Sequence, residues 1–140
     1  MIAFLDTSAL VKLYHKEINS EKIFTTLEKI NGIYLSELSK VEFRSALWKK
    51  VRTKEIDKDN AIAVISLFQN DSDKFEWINI DNNLINTASH LLYNFGGSGL
   101  CTLDSIQLAS ALTLKESRCL YFTEDKLLKK LLIKLKLKCY

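Results

Sequence analysis

Apolar and polar positions follow two rhythms along this chain, and the rhythms take turns. Residues 2–5, Ile-Ala-Phe-Leu, form an unbroken apolar run of buried-strand length. The run stops on Asp6-Thr7-Ser8, after which Leu10, Leu13 and Tyr14 share one helical face. Asn19-Ser20-Glu21 marks a fresh helix start, with Ile23, Phe24, Leu27 and Ile30 on one side and Asn31-Gly32 as its C-cap. Residues 33–36 read as a second strand and 37–53 as a long helix, and Asp57 opens another helix through Phe68. Residues 75–80 alternate as an edge strand, and Asp81 caps a helix carrying Leu84, Ile85, Ala88, Leu91 and Leu92. Gly96-Gly97-Ser98-Gly99 reads as a flexible loop before a helix from Thr102 to about residue 116. Residues 118–122 make a fourth strand, Thr123 caps a helix to about residue 133, and 134–140 add a short edge strand.

Strands that alternate with helices need crossover connections. The expected fold is therefore α/β, a three-layer α/β/α sandwich with a mainly parallel central sheet. A length of 140 residues without repeat or linker predicts a single domain over 1–140. No apolar run reaches membrane-spanning length and no basic region precedes the first one, so a cytoplasmic protein without membrane contact is expected. The net charge of +3 permits a polyanionic partner without demanding one. Cys101, Cys119 and Cys139 form no Cys-x-x-Cys pair, which argues against zinc and for reduced thiols. With no proline, turns must come from Asn, Asp, Ser and the four glycines.

The chemistry lies in the acids. Asp6, Asp104 and Asp125 each stand at the start of a predicted helix, where free N–H groups and the helix dipole favour a carboxylate. Any one alone reads more readily as a capping residue than as chemistry. Glu42 differs, because it lies inside a helix one turn from Leu38 and Ala46 and wants either a basic partner or a cation. If the first strand is central, the ends of strands one and four lie side by side, bringing Asp6 towards Asp125. The helices carrying Asp104 and Glu42 could reach the same edge. Converging carboxylates repel unless a cation neutralises them, and an all-oxygen set suits Mg²⁺ or Mn²⁺.

Four stretches carry a resemblance. Residues 5–14 (LDTSALVKLY), 35–47 (LSELSKVEFRSAL), 102–111 (TLDSIQLASA) and 121–128 (YFTEDKLL) resemble, in order and spacing, the motifs of PIN domains, specifically the VapC-type toxin ribonucleases. The resemblance implies a Mg²⁺-dependent endoribonuclease whose metal-binding acids are Asp6, Glu42, Asp104 and Asp125, leaving a 5′-phosphate on the cut RNA. It implies that Ser8 or Thr7 orients Asp6 and that Thr123 holds a phosphate, a water or Asp125. It further implies a small antitoxin protein as partner and a homodimer. Arg44 is read either as a phosphate contact or as the ion-pair mate of Glu42, and Lys126 as a possible RNA contact. Glu124 places a second carboxylate beside Asp125. The competing readings are a catalytically silent PIN-like module that binds RNA or protein, and a phosphatase-like enzyme using Asp6 as nucleophile. Ser8 stands where the latter class usually has a second acid.

Overall fold

The computed structural model describes residues 1–16, 18 and 20–140. The predicted helix start at Asn19 lies outside the described residues. The chain runs β1 (Ile2–Leu5), α1 (Thr7–Tyr14), α2 (Ser20–Leu27), β2 (Ile33–Ser36), α3 (Ser39–Arg52), α4 (Lys58–Asn70), β3 (Glu76–Ile78), α5 (Asn82–Phe95), α6 (Thr102–Leu112), β4 (Cys119–Phe122) and α7 (Lys126–Lys134).

The strands form an all-parallel sheet in the order β3-β2-β1-β4, flanked by helices on both faces. The two-residue period of β1 and β4 divides the core in two. Ala3, Leu5, Leu120 and Phe122 point into one cluster with Leu10, Ile23, Phe43, Leu47 and Phe68 from α1 to α4. Phe4, Cys119 and Tyr121 point the other way, onto Leu84, Leu91, Leu108, Leu128 and Leu132 from α5 to α7. Near-continuous apolar strands follow from this burial on both faces. Phe43 and Phe68 stack at 4.3 Å between centroids, with Tyr14 edge-on to both rings, and these rings lock α1, α3 and α4 together.

Several predicted boundaries move. The long third helix begins at Ser39, the sixth ends at Leu112, and β3 shortens to Glu76–Ile78. Gly32 is not a C-cap: α2 ends at Leu27, and the Gly32 carbonyl accepts from Ala3 N instead, leading the chain into β2. The predicted last strand reduces to a single bridge between Tyr121 and Cys139. The glycine stretch is structured: residues Gly96–Ser98 make a 3₁₀ turn, Gly99 takes φ +103°, and Leu100 is buried. Only glycine adopts that left-handed φ without strain. Among the described residues no helix is long and apolar enough to cross a membrane.

Candidate active site

The pairing of β1 with β4 sets the site. Leu5 lies opposite Phe122, and Asp6 N donates to the Phe122 carbonyl at 3.1 Å, so Asp6 and Thr123 leave the sheet side by side. Both stand at the carboxyl ends of parallel strands, where open α/β sheets take their ligands.

Asp6 is 5% exposed and is itself the N-cap of α1, accepting from Ala9 N at 2.9 Å. Ser8 Oγ donates to its Oδ1 at 2.6 Å and Thr123 Oγ1 to its Oδ2 at 2.5 Å. The two hydroxyls are fixed in turn: Ser8 Oγ accepts from Glu124 N, and Thr123 Oγ1 from Asp125 N. Burial pushes the Asp6 carboxyl up to about 6, the bonds from Ser8, Thr123 and Ala9 pull against this, and the charge of Glu42 adds to the rise.

Glu42 is half-buried in the first turn of α3. Its Oε1 accepts from Thr7 Oγ1 at 3.0 Å and from Gln107 Nε2 at 2.6 Å. Thr7 therefore serves Glu42, while Ser8 serves Asp6; of the two residues expected to orient Asp6, only the serine bonds to it. Burial raises the Glu42 carboxyl above its ordinary value, the Gln107 and Thr7 bonds oppose, and the charge of Asp104 raises it further. Asp104, in the first turn of α6, is raised by burial and then by the charge of Asp125. Asp125 caps α7 through Leu128 N at 2.7 Å. This cap was expected at Thr123, whose hydroxyl is spent on Asp6 and Asp125 N instead. The four expected acids thus form a run in which the charge of Glu42 raises Asp6, that of Asp104 raises Glu42 and that of Asp125 raises Asp104.

This donor set is all oxygen, and three of its members are raised by a neighbour's charge, which is the chemistry that fits a hard divalent cation. Among the described residues no three His, Cys, Asp or Glu side chains already stand close enough to share an ion. The carboxylates are gathered at one edge without being closed into a ligand cage.

Two residues go unsuspected in the sequence. Gln107 is 3% exposed, lies one turn beyond Asp104, and spreads its Nε2 over Glu42, Thr7 and Ser39, while its Oε1 has no partner among the described residues. A polar side chain amid Leu103, Leu108 and Ala111 is the signal that marks it. Lys12 is 8% exposed; its ammonium donates to the Ile18 carbonyl at 2.9 Å and pairs with Glu124 at 2.8 Å. That pair occupies the carboxylate whose role beside Asp125 stood open.

Arg44 does not pair with Glu42. Its guanidinium donates to the Lys40 carbonyl and, at 3.5 Å, to Gln69 Oε1. Two positions along a helix face different sides, and that spacing excludes the pair. Lys126 is exposed, and its ammonium has no bonding partner among the described residues.

The sequence model of the PIN domain matches residues 3–132. The chain belongs to the PIN domain family. The VapBC2 complex of Rickettsia felis bound to a DNA fragment from their promoter matches this PIN domain at 17% identity and TM-score 0.66, over 100% of this chain and 98% of that one. FitAcB from Neisseria gonorrhoeae matches at 12% identity and TM-score 0.70, over 99% and 96%. VapC20 of Mycobacterium tuberculosis, a sarcin-ricin loop cleaving toxin, matches at 13% identity and TM-score 0.68, over 92% and 94%. At these identities the likeness is one of fold. No curated protein matches the sequence of this PIN domain.

Proposed function

We propose that this PIN domain is a metal-dependent endoribonuclease and the toxin of a toxin–antitoxin pair. The observation that carries the reading is the run of four carboxylates at one sheet edge, each of the first three raised by the charge of the next. Asp6, Glu42, Asp104 and Asp125 would hold Mg²⁺ or Mn²⁺. When bound, such an ion activates water for attack on a phosphodiester and offsets the charge that builds there.

The chain's own residues prepare the edge for this. Ser8 and Thr123 fix both oxygens of Asp6, each by donating one proton. Thr7 and Gln107 hold one oxygen of Glu42 and leave Oε2 free of any bond among the described residues. Burial keeps water from Asp6 and limits it at Glu42, which makes their charge costly without a counter-ion. An antitoxin fits the neighbouring groove of about 440 Å³, where Val11, Leu38, Val41 and Leu103 lie alongside Glu42, with Lys49 and Arg52 available to an acidic segment. A homodimer fits the apolar side chains exposed on α3 and α4, among them Trp48, Ile62 and Leu67.

The test is cleavage of RNA with and without Mg²⁺ or Mn²⁺, comparing the wild type with Asp6→Asn and Asp104→Asn. Metal-dependent cleavage that both substitutions abolish supports the reading. Equal activity in all three proteins overturns it, and binding of RNA without cleavage at saturating metal points to a silent binding module.

A further inference from the structure

A second cavity, separate from the apolar groove, adjoins the acid edge at Thr123. It measures about 550 Å³ and opens between α2 and α7, lined by Lys22, Lys126, Lys129, Thr123, Glu124 and Tyr140, among others. Thr123, whose hydroxyl holds Asp6, is therefore also part of this wall.

The cavity is built rather than incidental. Tyr140 spans it: its hydroxyl donates to the Lys22 carbonyl on α2 at 3.1 Å, and its backbone oxygen accepts from Lys129 Nζ on α7 at 2.8 Å. Its ring lies 4.6 Å from that of Phe122, at 30°, which gives the site an aromatic wall. The charge balance is positive. Glu124 is already paired with Lys12, whereas the ammonium groups of Lys22 and Lys126 have no bonding partner among the described residues. The volume falls in the range of small-molecule sites. Lysines beside an aromatic face are the chemistry that takes a phosphate and its base in single-stranded nucleic acid. The apolar groove, with its exposed Val41 and Leu103, suits peptide side chains instead.

We propose that the cavity between α2 and α7 is a nucleotide subsite for the RNA phosphate next to the one that is cut, with Lys22 and Lys126 supplying the charge. The inference rests on the nuclease reading for the identity of the strand. It assigns a direction as well: the strand leaves the acid edge past Thr123, towards Tyr140. Arg44, held by Lys40 and Gln69, takes no part in it.

The experiment uses the full chain in Mg²⁺, a fluorescein-labelled single-stranded phosphorothioate oligoribonucleotide, and anisotropy titrations over a range of NaCl concentrations. Cleavage of unmodified RNA is followed in parallel. Lys22→Ala and Lys126→Ala are compared with Lys115→Ala, a lysine beside Arg118 at the opposite end of the strands. Each subsite substitution should lower the slope of log K against log salt by roughly 0.7, the value of one released counterion on a single strand, and Lys115→Ala should leave it unchanged. Equal slopes for all four proteins overturn the proposal, as does an equal loss in the Lys115 variant. Loss of binding to polyglutamate with RNA binding intact also overturns it, in favour of an acidic protein ligand. If the subsite variants lose RNA affinity while wild type cleaves nothing, the subsite stands and the nuclease reading falls. If wild type cleaves and the variants bind normally, the reverse holds.

Discussion

The side-chain amide of Gln107 donates to Glu42 Oε1 at 2.6 Å, across 65 positions of sequence. It couples α6, which carries Asp104, to α3, which carries Glu42. Replacing Gln107 with Met keeps the length and removes the amide. Groups that orient a metal ligand from behind typically contribute about 10- to 100-fold in metal affinity or activity. A Mg²⁺ titration of RNA cleavage by Gln107→Met should shift to higher Mg²⁺ by that order, with the fold intact by circular dichroism. An unchanged titration would show that Glu42 needs no positioning.

Asp6 makes stability depend on pH with a definite sign. Its carboxyl rises from the usual 3.8 to about 6 in the folded chain. Between these values the folded protein holds a proton that the unfolded chain has released, so stability falls as pH climbs through this window. The cost is complete above about pH 6 and is on the order of 3 kcal/mol. Urea unfolding in EDTA should show this decline, and Asp6→Asn, which cannot ionise, should flatten it. Added Mg²⁺ that binds the ionised acids should restore wild-type stability near neutrality. A wild-type curve that is flat from pH 4 to 7 would contradict the assignment.

Thr123→Val removes the donor to Asp6 Oδ2 and the acceptor for Asp125 N together. The lost bonds should cost about 1–3 kcal/mol of unfolding free energy. With one fewer donor, the Asp6 carboxyl should titrate higher, and the acid limb of the cleavage profile should move up in pH. Thr123→Ser keeps the hydroxyl and should recover most of both effects. Failure of the serine variant to recover them would assign the loss to packing of the methyl group.

Glu124 is engaged by Lys12 rather than by the acid run. Glu124→Gln should therefore leave cleavage within about 2-fold of wild type, the scale of ordinary surface changes. It should still lower the unfolding midpoint, because the Lys12 ammonium, 8% exposed, loses its charge partner and keeps only neutral acceptors. Its loss of stability should be about 1–3 kcal/mol. Loss of cleavage matching that of Asp125→Asn would place Glu124 among the ligands.

The sequence shows much of this, for reasons that differ by residue. β1 and β4 are legible because strands buried on both faces must be apolar throughout. Asp6 stands out because it follows such a strand directly, and Asp125 because it comes three residues after one. Gln107 stays hidden, since its value comes from Thr7, Ser39 and Glu42, which lie 100, 68 and 65 positions away. Lys12 is hidden likewise: a lysine beside Val11 and Leu13 reads as the solvated face of α1, and only the fold supplies Glu124 to hold it inside. The division of labour between Thr7 and Ser8 follows from α1 turning about 100° per residue, which sends adjacent hydroxyls to different carboxylates. Arg44 fails by the same geometry, two positions being too few to return to the face of Glu42.

The bond between Asp6 and Thr123 joins residues 117 positions apart. A chain made in order from Asp6 onward has only the local partners Ser8 and Ala9 for its first acid through most of its synthesis. Only when β4 is complete and pairs beside β1 do the Thr123 hydroxyl and Asp125 arrive. The acid run is thus assembled last, by the same step that pairs β4 with β1. The order of the sequence itself therefore acts as a delay on completing the acid edge.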